Sequence, residues 1–146
     1  MGKVYTEITD ELQAWVEQQK MFFVATAPTG EGHVNCSPKG TDSLRVLGPN
    51  EVAYLDLTGS GIETVAHLQE NGRIVIMLCA FEGAPKIVRF HGIGKAYPLG
   101  TGDFEHYWPH FQPIPGARAI IHVQVTRISD SCGNGVPLFE FKGERQ

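Results

Sequence analysis

The sequence predicts a mainly β protein, a small antiparallel β-barrel carrying a few helices. Short apolar runs rich in β-branched and aromatic residues recur along the chain, parted by turn residues. Glycine numbers 17 and proline 9 among 146 residues, more punctuation than an all-helical chain carries. The linkers between most runs are short. Parallel crossovers need a dozen residues or more, so neighbouring strands are expected to pair antiparallel. A chain of this length is one domain, 1–146, and long enough to bury a proper core.

Thr9 precedes DELQAWVEQQ, where Leu12, Trp15 and Val16 recur at helical spacing. Asp10 and Glu11 complement the positive end of the helix dipole, and a helix is predicted over about 10–19. MFFVATA then reads as a strand, PTGEG as a turn and HVNCS as the hairpin partner. SLRVL and EVAYLDL flank GPN as a second hairpin. A helix over about 61–71 follows, with Val65 and Leu68 facing the core and Asn71-Gly72 supplying a left-handed stop. RIVIMLCAF is apolar on both faces and reads as a central strand.

In KIVRFHGIGKAY, Val88, Phe90, Gly92, Gly94 and Ala96 share one face; paired glycines there predict a bend or a close backbone approach. Residues 98–116 form an irregular excursion with room for one helical turn. Its Phe104, Tyr107, Trp108 and Phe111 are expected to pack on the barrel, wall a groove or meet a second subunit. RAIIHVQVTRI closes the series, with Ala119, Ile121, Val123 and Val125 as its apolar face. About seven strands result, with one helix inserted among them.

Composition narrows the function. A net charge of −4 leaves no basic footprint for nucleic acid, and the 12 Lys and Arg form no run that would mark a membrane patch. Cys36, Cys79 and Cys132 are odd in number and widely spaced, which argues against a disulfide framework. The apolar stretch from Ile74 to Phe81 is too short to span a bilayer, and MGKVYTEITDELQAW contains no apolar signal core. The cytoplasm is the expected compartment.

The stretch DLTGSGIETVAHLQENGR carries two readings. Ser60 and Glu63 fit an S-x-x-E capping box, which explains the turn without a ligand. Free amides at a helix start also bind anions, Gly59 and Gly61 let the backbone come close, and Ser60 and Thr64 offer hydroxyls. Neither named phosphate motif is complete: position 64 is threonine where G-x-G-x-x-G needs glycine, and no Gly-Lys-Ser/Thr occurs.

VNCSPKGTDSLRVL, EVAYLDLTGSGIETVAHLQENGRIVIMLCAF, RFHGIGKAY and DSCGNGVPLFEF, in that order, resemble the pyridoxamine 5′-phosphate oxidase-like flavin-binding proteins. The likeness runs from about Met21 to Phe141. It implies a six-stranded split β-barrel, a homodimer, and FMN in a groove between subunits, with a deazaflavin or haem as alternatives. The resemblance places Lys39 of SPKG near the flavin ring or its phosphate. Asn35 and Ser37, on one face of their strand, lie where the isoalloxazine edge would be bonded. Ser60, Gly61 and Thr64 fall at the phosphate-binding turn.

Oxidases of the family carry an Arg-Lys pair around this turn, where this chain has Ile62, Glu63 and Thr64. Lys39, Arg45 or Arg73 must then supply the charge. No segment matches the residues that hold the substrate phosphate of the vitamin B6 enzyme.

Other groups are less telling. His106 and His110 stand four apart, but Pro109 breaks the helical face and no third ligand is spaced to join them, so no metal is assigned. His91 and His122 fall on strands, as groove-lining or ordinary polar-face residues. Cys132 has no neighbouring base to activate it. The resulting expectation is a dimeric FMN-binding oxidoreductase, in which the flavin carries the redox chemistry and no dedicated acid–base residue is needed. A non-enzymatic flavin or haem binder, or a deazaflavin-dependent reductase on the same fold, is the rival.

Overall fold

A computed structural model describes residues 2–59 and 61–145. The chain forms β1 (Lys3–Tyr5), α1 (Asp10–Gln18), β2 (Phe22–Thr26), β3 (Asn35–Lys39), β4 (Leu44–Gly48) and β5 (Glu51–Leu57). α2 (Ile62–Glu70), β6 (Arg73–Cys79), β7 (Ile87–Pro98), α3 (Gly102–Tyr107), a 3₁₀ turn (Trp108–His110) and β8 (Ala117–Ser131) complete it. Every strand pair is antiparallel, in the order β3-β2-β6-β7-β8-β5-β4, with β1 added against β8. The expected mainly β, antiparallel class is present. The sheet curls without closing, and its two ends, β3 and β4, are adjacent in sequence.

Inside the curl lies the main core. Phe22, Val24, Val52, Tyr54, Ile76, Phe90, Ile121 and Val123 meet there, and Leu12 and Val16 of α1 plug it. Thr9 caps α1 by accepting from the Leu12 amide at 3.1 Å. α2 lies over β7 because Gly94 has no side chain: a Cβ there would stand 3.0 Å from Leu68 Cδ2 and 3.2 Å from Ile74 Cγ2. Gly92 marks a bulge in the β7–β8 ladder, where a Cβ would run into the Gln124 carbonyl oxygen. The two glycines thus supply the bend and the close approach that their spacing predicts.

Three details depart from expectation. β1 carries too few residues for a periodic signal, and is held by Asp130, which accepts from the Lys3 amide at 2.9 Å and the Tyr5 hydroxyl at 2.5 Å. β3 lies later than HVNCS suggests and includes Pro38, which a sheet edge tolerates because no ladder donor is required there. The cap of α2 is Gly61, at φ +130°, rather than Ser60, which lies outside the described residues. Glu63 is therefore the second helical residue instead of the third. The capping-box register is lost, and its side chain is exposed to solvent.

Candidate functional site at the start of α2

β3 presents alternate residues to the inner side of the sheet. Asn35, Ser37 and Lys39 pair with Thr26, Val24 and Phe22, all buried. Asn35 Nδ2 donates to Ser37 Oγ at 3.1 Å and to Thr64 Oγ1 at 3.0 Å, joining the edge strand to the first turn of α2. Thr64 is buried, and one turn later the His67 ring meets the Thr26 hydroxyl at 2.8 Å. α2 is thereby fixed along its inner face, and its N-terminal amides open beside Lys39.

Under that end lies a charged cluster. Asp56, buried near the end of β5 after the apolar residues Val52–Leu55, accepts from Arg118 Nε at 2.7 Å and has Lys39 Nζ 3.9 Å away. Arg118 is the extra residue of a bulge in which Asp56 pairs with Ala119 and Leu57 with Ala117. A bulge re-aims a side chain, and here it turns the guanidinium onto Asp56. Two cations against one carboxylate leave one net positive charge.

Arg118 Nη2 is buried and has no hydrogen-bond partner among the described residues. A Cβ on Gly61 would stand 3.1 Å from that Nη2, 3.1 Å from Asp56 Oδ1 and 3.6 Å from Lys39 Nζ. Glycine therefore keeps the backbone close to the cluster in a conformation that other residues rarely adopt. Tyr54 floors the site, its ring centroid 6.0 Å from Lys39 Nζ. Burial, reinforced by Asp56, holds its phenol protonated well above its ordinary range, and its hydroxyl also lacks a partner among the described residues.

The structure brings Asn35, Ser37, Lys39, Gly61 and Thr64 together; Ser60 lies outside the described residues. Arg73 does not join them. It alternates with buried Ile74 and Ile76, so strand periodicity sends it to the opposite side of the sheet, beside His91 and Ile93. Arg45 is engaged by Asp42 at 3.0 Å and by the His110 carbonyl oxygen at 2.9 Å. The cation that stands beside the turn together with Lys39 is Arg118, which sequence reasoning missed together with Asp56. A carboxylate closing the apolar run VAYL is the signal that was available, because a buried charge requires a partner.

Other polar groups lie elsewhere. His91 is held below the ordinary imidazole range by burial and by Arg127 and Arg89. His122 Nε2 meets Glu51 Oε1 at 2.6 Å under Tyr107. Among the described residues no three His, Cys, Asp or Glu cluster as metal ligands would, the three cysteines are free, and no helix is long and apolar enough to cross a membrane.

The family model described as pyridoxamine 5′-phosphate oxidase matches residues 8–132. A pyridoxamine 5′-phosphate oxidase family protein of Aspergillus flavus, ustO, is 40% identical over 140 residues, covering 93% of this chain and 56% of its own. The chain thus spans little more than half the length of that relative. HupZ of Group A Streptococcus superposes with a TM-score of 0.66 at 25% identity, covering 83% of this chain and 91% of HupZ. The FAD binding protein from Mycobacterium smegmatis shares the fold with a TM-score of 0.60 at 12% identity, covering 87% and 93% of the two chains.

Proposed function

The chain belongs to the pyridoxamine 5′-phosphate oxidase family, and from that premise we propose that it is an FMN-binding oxidoreductase whose phosphate site is the Lys39–Asp56–Arg118 cluster. The observation that carries this reading is the buried Arg118 Nη2, a cationic donor without a partner among the described residues. It stands against Gly61, the N-cap of α2, whose backbone comes close to it because glycine carries no side chain, and the first amides of a helix attract an anion. A terminal phosphate would accept from Nη2 and those amides while Lys39 adds charge. Asn35 and Ser37 continue the same face of β3 and would bond the edge of the ring system. The M. smegmatis neighbour binds FAD by name, which supports a flavin on this fold.

Bound flavin would accept and return electron pairs. The protein's part is to hold it, orient it and exclude water. Tyr54 and Asp56 would act as supports: Asp56 aims the guanidinium, and the Tyr54 ring lies under Lys39. The reading includes a homodimer, packed through the open outer face around Ala25, Val75 and Ile93, and a cytoplasmic location, in keeping with three free cysteines.

The test is a visible spectrum of the protein as purified, followed by FMN titration. Flavin bands are expected, and a haem spectrum would overturn the assignment. Arg118→Ala removes a charge-assisted donor and is expected to weaken FMN about 10- to 100-fold. Arg118→Lys keeps Asp56 paired, retains the charge and loses the fork, so an intermediate loss is expected. Unchanged affinity in both variants would remove the cluster from the site.

A further inference from the structure

We propose that the cavity beneath the segment after β8 holds an uncharged, planar aromatic molecule, placed beside whatever the phosphate site holds. The cavity measures about 950 Å³ and is walled by Met21, Phe23, Phe81, Phe139 and Phe141. That size and that lining are those of a small-molecule site. Lys39 borders it as well, so the cavity and the phosphate site share one residue.

The segment is fixed rather than loose. The Phe139 amide donates to the Phe81 carbonyl oxygen at 2.9 Å, and the two rings stack with centroids 5.3 Å apart and planes 28° apart. Lys20 Nζ sits 5.5 Å from the Phe141 ring centroid. Yet Phe139 is 58% exposed and Phe141 43% exposed. Two phenyl rings that are held by these contacts and still half exposed at the cavity offer surface on which a ring can stack.

The charges on the walls indicate the kind of occupant. With Lys39 turned to Asp56, Lys20 and Arg145 face Glu82, Glu140 and Glu144, so the walls do not select an anion. An alkyl chain would strip these groups of water and return no hydrogen bond. A flat ring system stacks on the phenyls and can meet the cationic groups with carbonyl or ring-nitrogen acceptors at its edge. Only the role of this molecule, as the reaction partner of the flavin, rests on the function proposed above.

The probe is 7-methoxycoumarin, neutral, planar and fluorescent, titrated by fluorescence polarisation into the flavin-free and the FMN-saturated protein. Saturable binding is expected in both. Phe141→Ala should weaken it several-fold and Phe139→Ala/Phe141→Ala at least tenfold, with FMN affinity and melting temperature retained. The carboxylate analogue 7-methoxycoumarin-4-acetate should bind more weakly than the neutral probe.

No saturable binding, equal binding to the double variant, tighter binding of the carboxylate, or displacement of the probe by FMN would each overturn the proposal. So would a fall in the molecular mass of the double variant in sedimentation, because the rings would then be a subunit contact. Absent FMN binding beside Phe-dependent coumarin binding would sink the flavin reading and leave this one standing.

Discussion

The outer side of the sheet is treated in two ways. Over β5 and β8, Ala53, Leu55 and Ile120 are covered by Phe104 and Phe111 of the 98–116 excursion, with Tyr97, Tyr107 and Trp108 packed around them. Over β2, β6 and β7, Ala25, Val75, His91 and Ile93 line a shallow depression of about 410 Å³, and nearby Val34 is 72% exposed. Both regions belong to one continuous sheet and both carry apolar residues on alternate outward positions. The difference lies in what the chain brings back over them. Where the excursion returns, the sheet becomes a second core; around Ala25, Val75 and Ile93, beyond the reach of the segment after β8 that covers Phe23, it remains an apolar surface bordered by Arg73. The open half is the part that the proposed homodimer would cover.

The covered half should give the largest effect. Phe104 is 1% exposed, and Phe104→Ala leaves a cavity between the excursion and the sheet. A loss of about 3–5 kcal/mol is expected, read from urea unfolding. A loss below about 1 kcal/mol would mean that the excursion is not part of the folded core. Thr26→Val comes next. It leaves His67 Nδ1 without its buried partner, and about 1–3 kcal/mol of stability should go with it. Because that bond positions α2, FMN affinity should fall in the same variant, whereas Phe104→Ala should spare it.

How much of this was legible follows from where each signal resides. EVAYLDL announces β5 as one arm of a hairpin around GPN, RIVIMLCAF announces β6 because an apolar run of that length suits a buried strand, and Thr9 announces α1 through its cap. Gly92 and Gly94 announce a bend and a close approach by their spacing alone. The outer core was half visible: the aromatic residues of 98–116 needed cover, but only the fold shows that they lie on Ile120. Of the site, Asn35, Ser37, Lys39, Gly61 and Thr64 fall together because they share a strand face or a helix turn, which are local facts. Arg118 was invisible for the opposite reason. It meets Asp56 across a separation of 62 residues through a bulge, and no local pattern encodes a bulge between two distant strands.

A smaller effect distinguishes β1, the added strand, from the sheet proper. The Tyr5 hydroxyl bonds Asp130, which lies below the ordinary carboxylate range mainly because of that bond, while the Tyr5 phenol is pushed up to about 12 by the same bond. The lowered Asp130 contributes stability above its unfolded value of about 4, lost as pH falls through the folded value. The raised Tyr5 contributes stability below its unfolded value of about 10, lost as pH rises through the folded one. Tyr5→Phe should therefore be destabilised by about 1 kcal/mol at neutral pH. The gap from the parent should narrow in strong acid and again in strong base, as melting curves across that range would show. A pH-independent gap would mean that packing of the ring, and not the bond, holds β1.

The smallest effect on folding should come from the open half of the sheet, and there the comparison becomes sharpest. Ile93 is 46% exposed beside His91, so Ile93→Asp removes little buried surface. The dilute protein should unfold within about 0.5 kcal/mol of the parent. If a second copy covers this face, the same substitution places a carboxylate in the contact of both subunits, since a two-fold interface repeats every change. Sedimentation should then show the parent as a dimer and the variant as a monomer. Equal masses would leave the open face without a partner, whereas a large loss of stability in a monomeric parent would mean that Ile93 packs within its own chain.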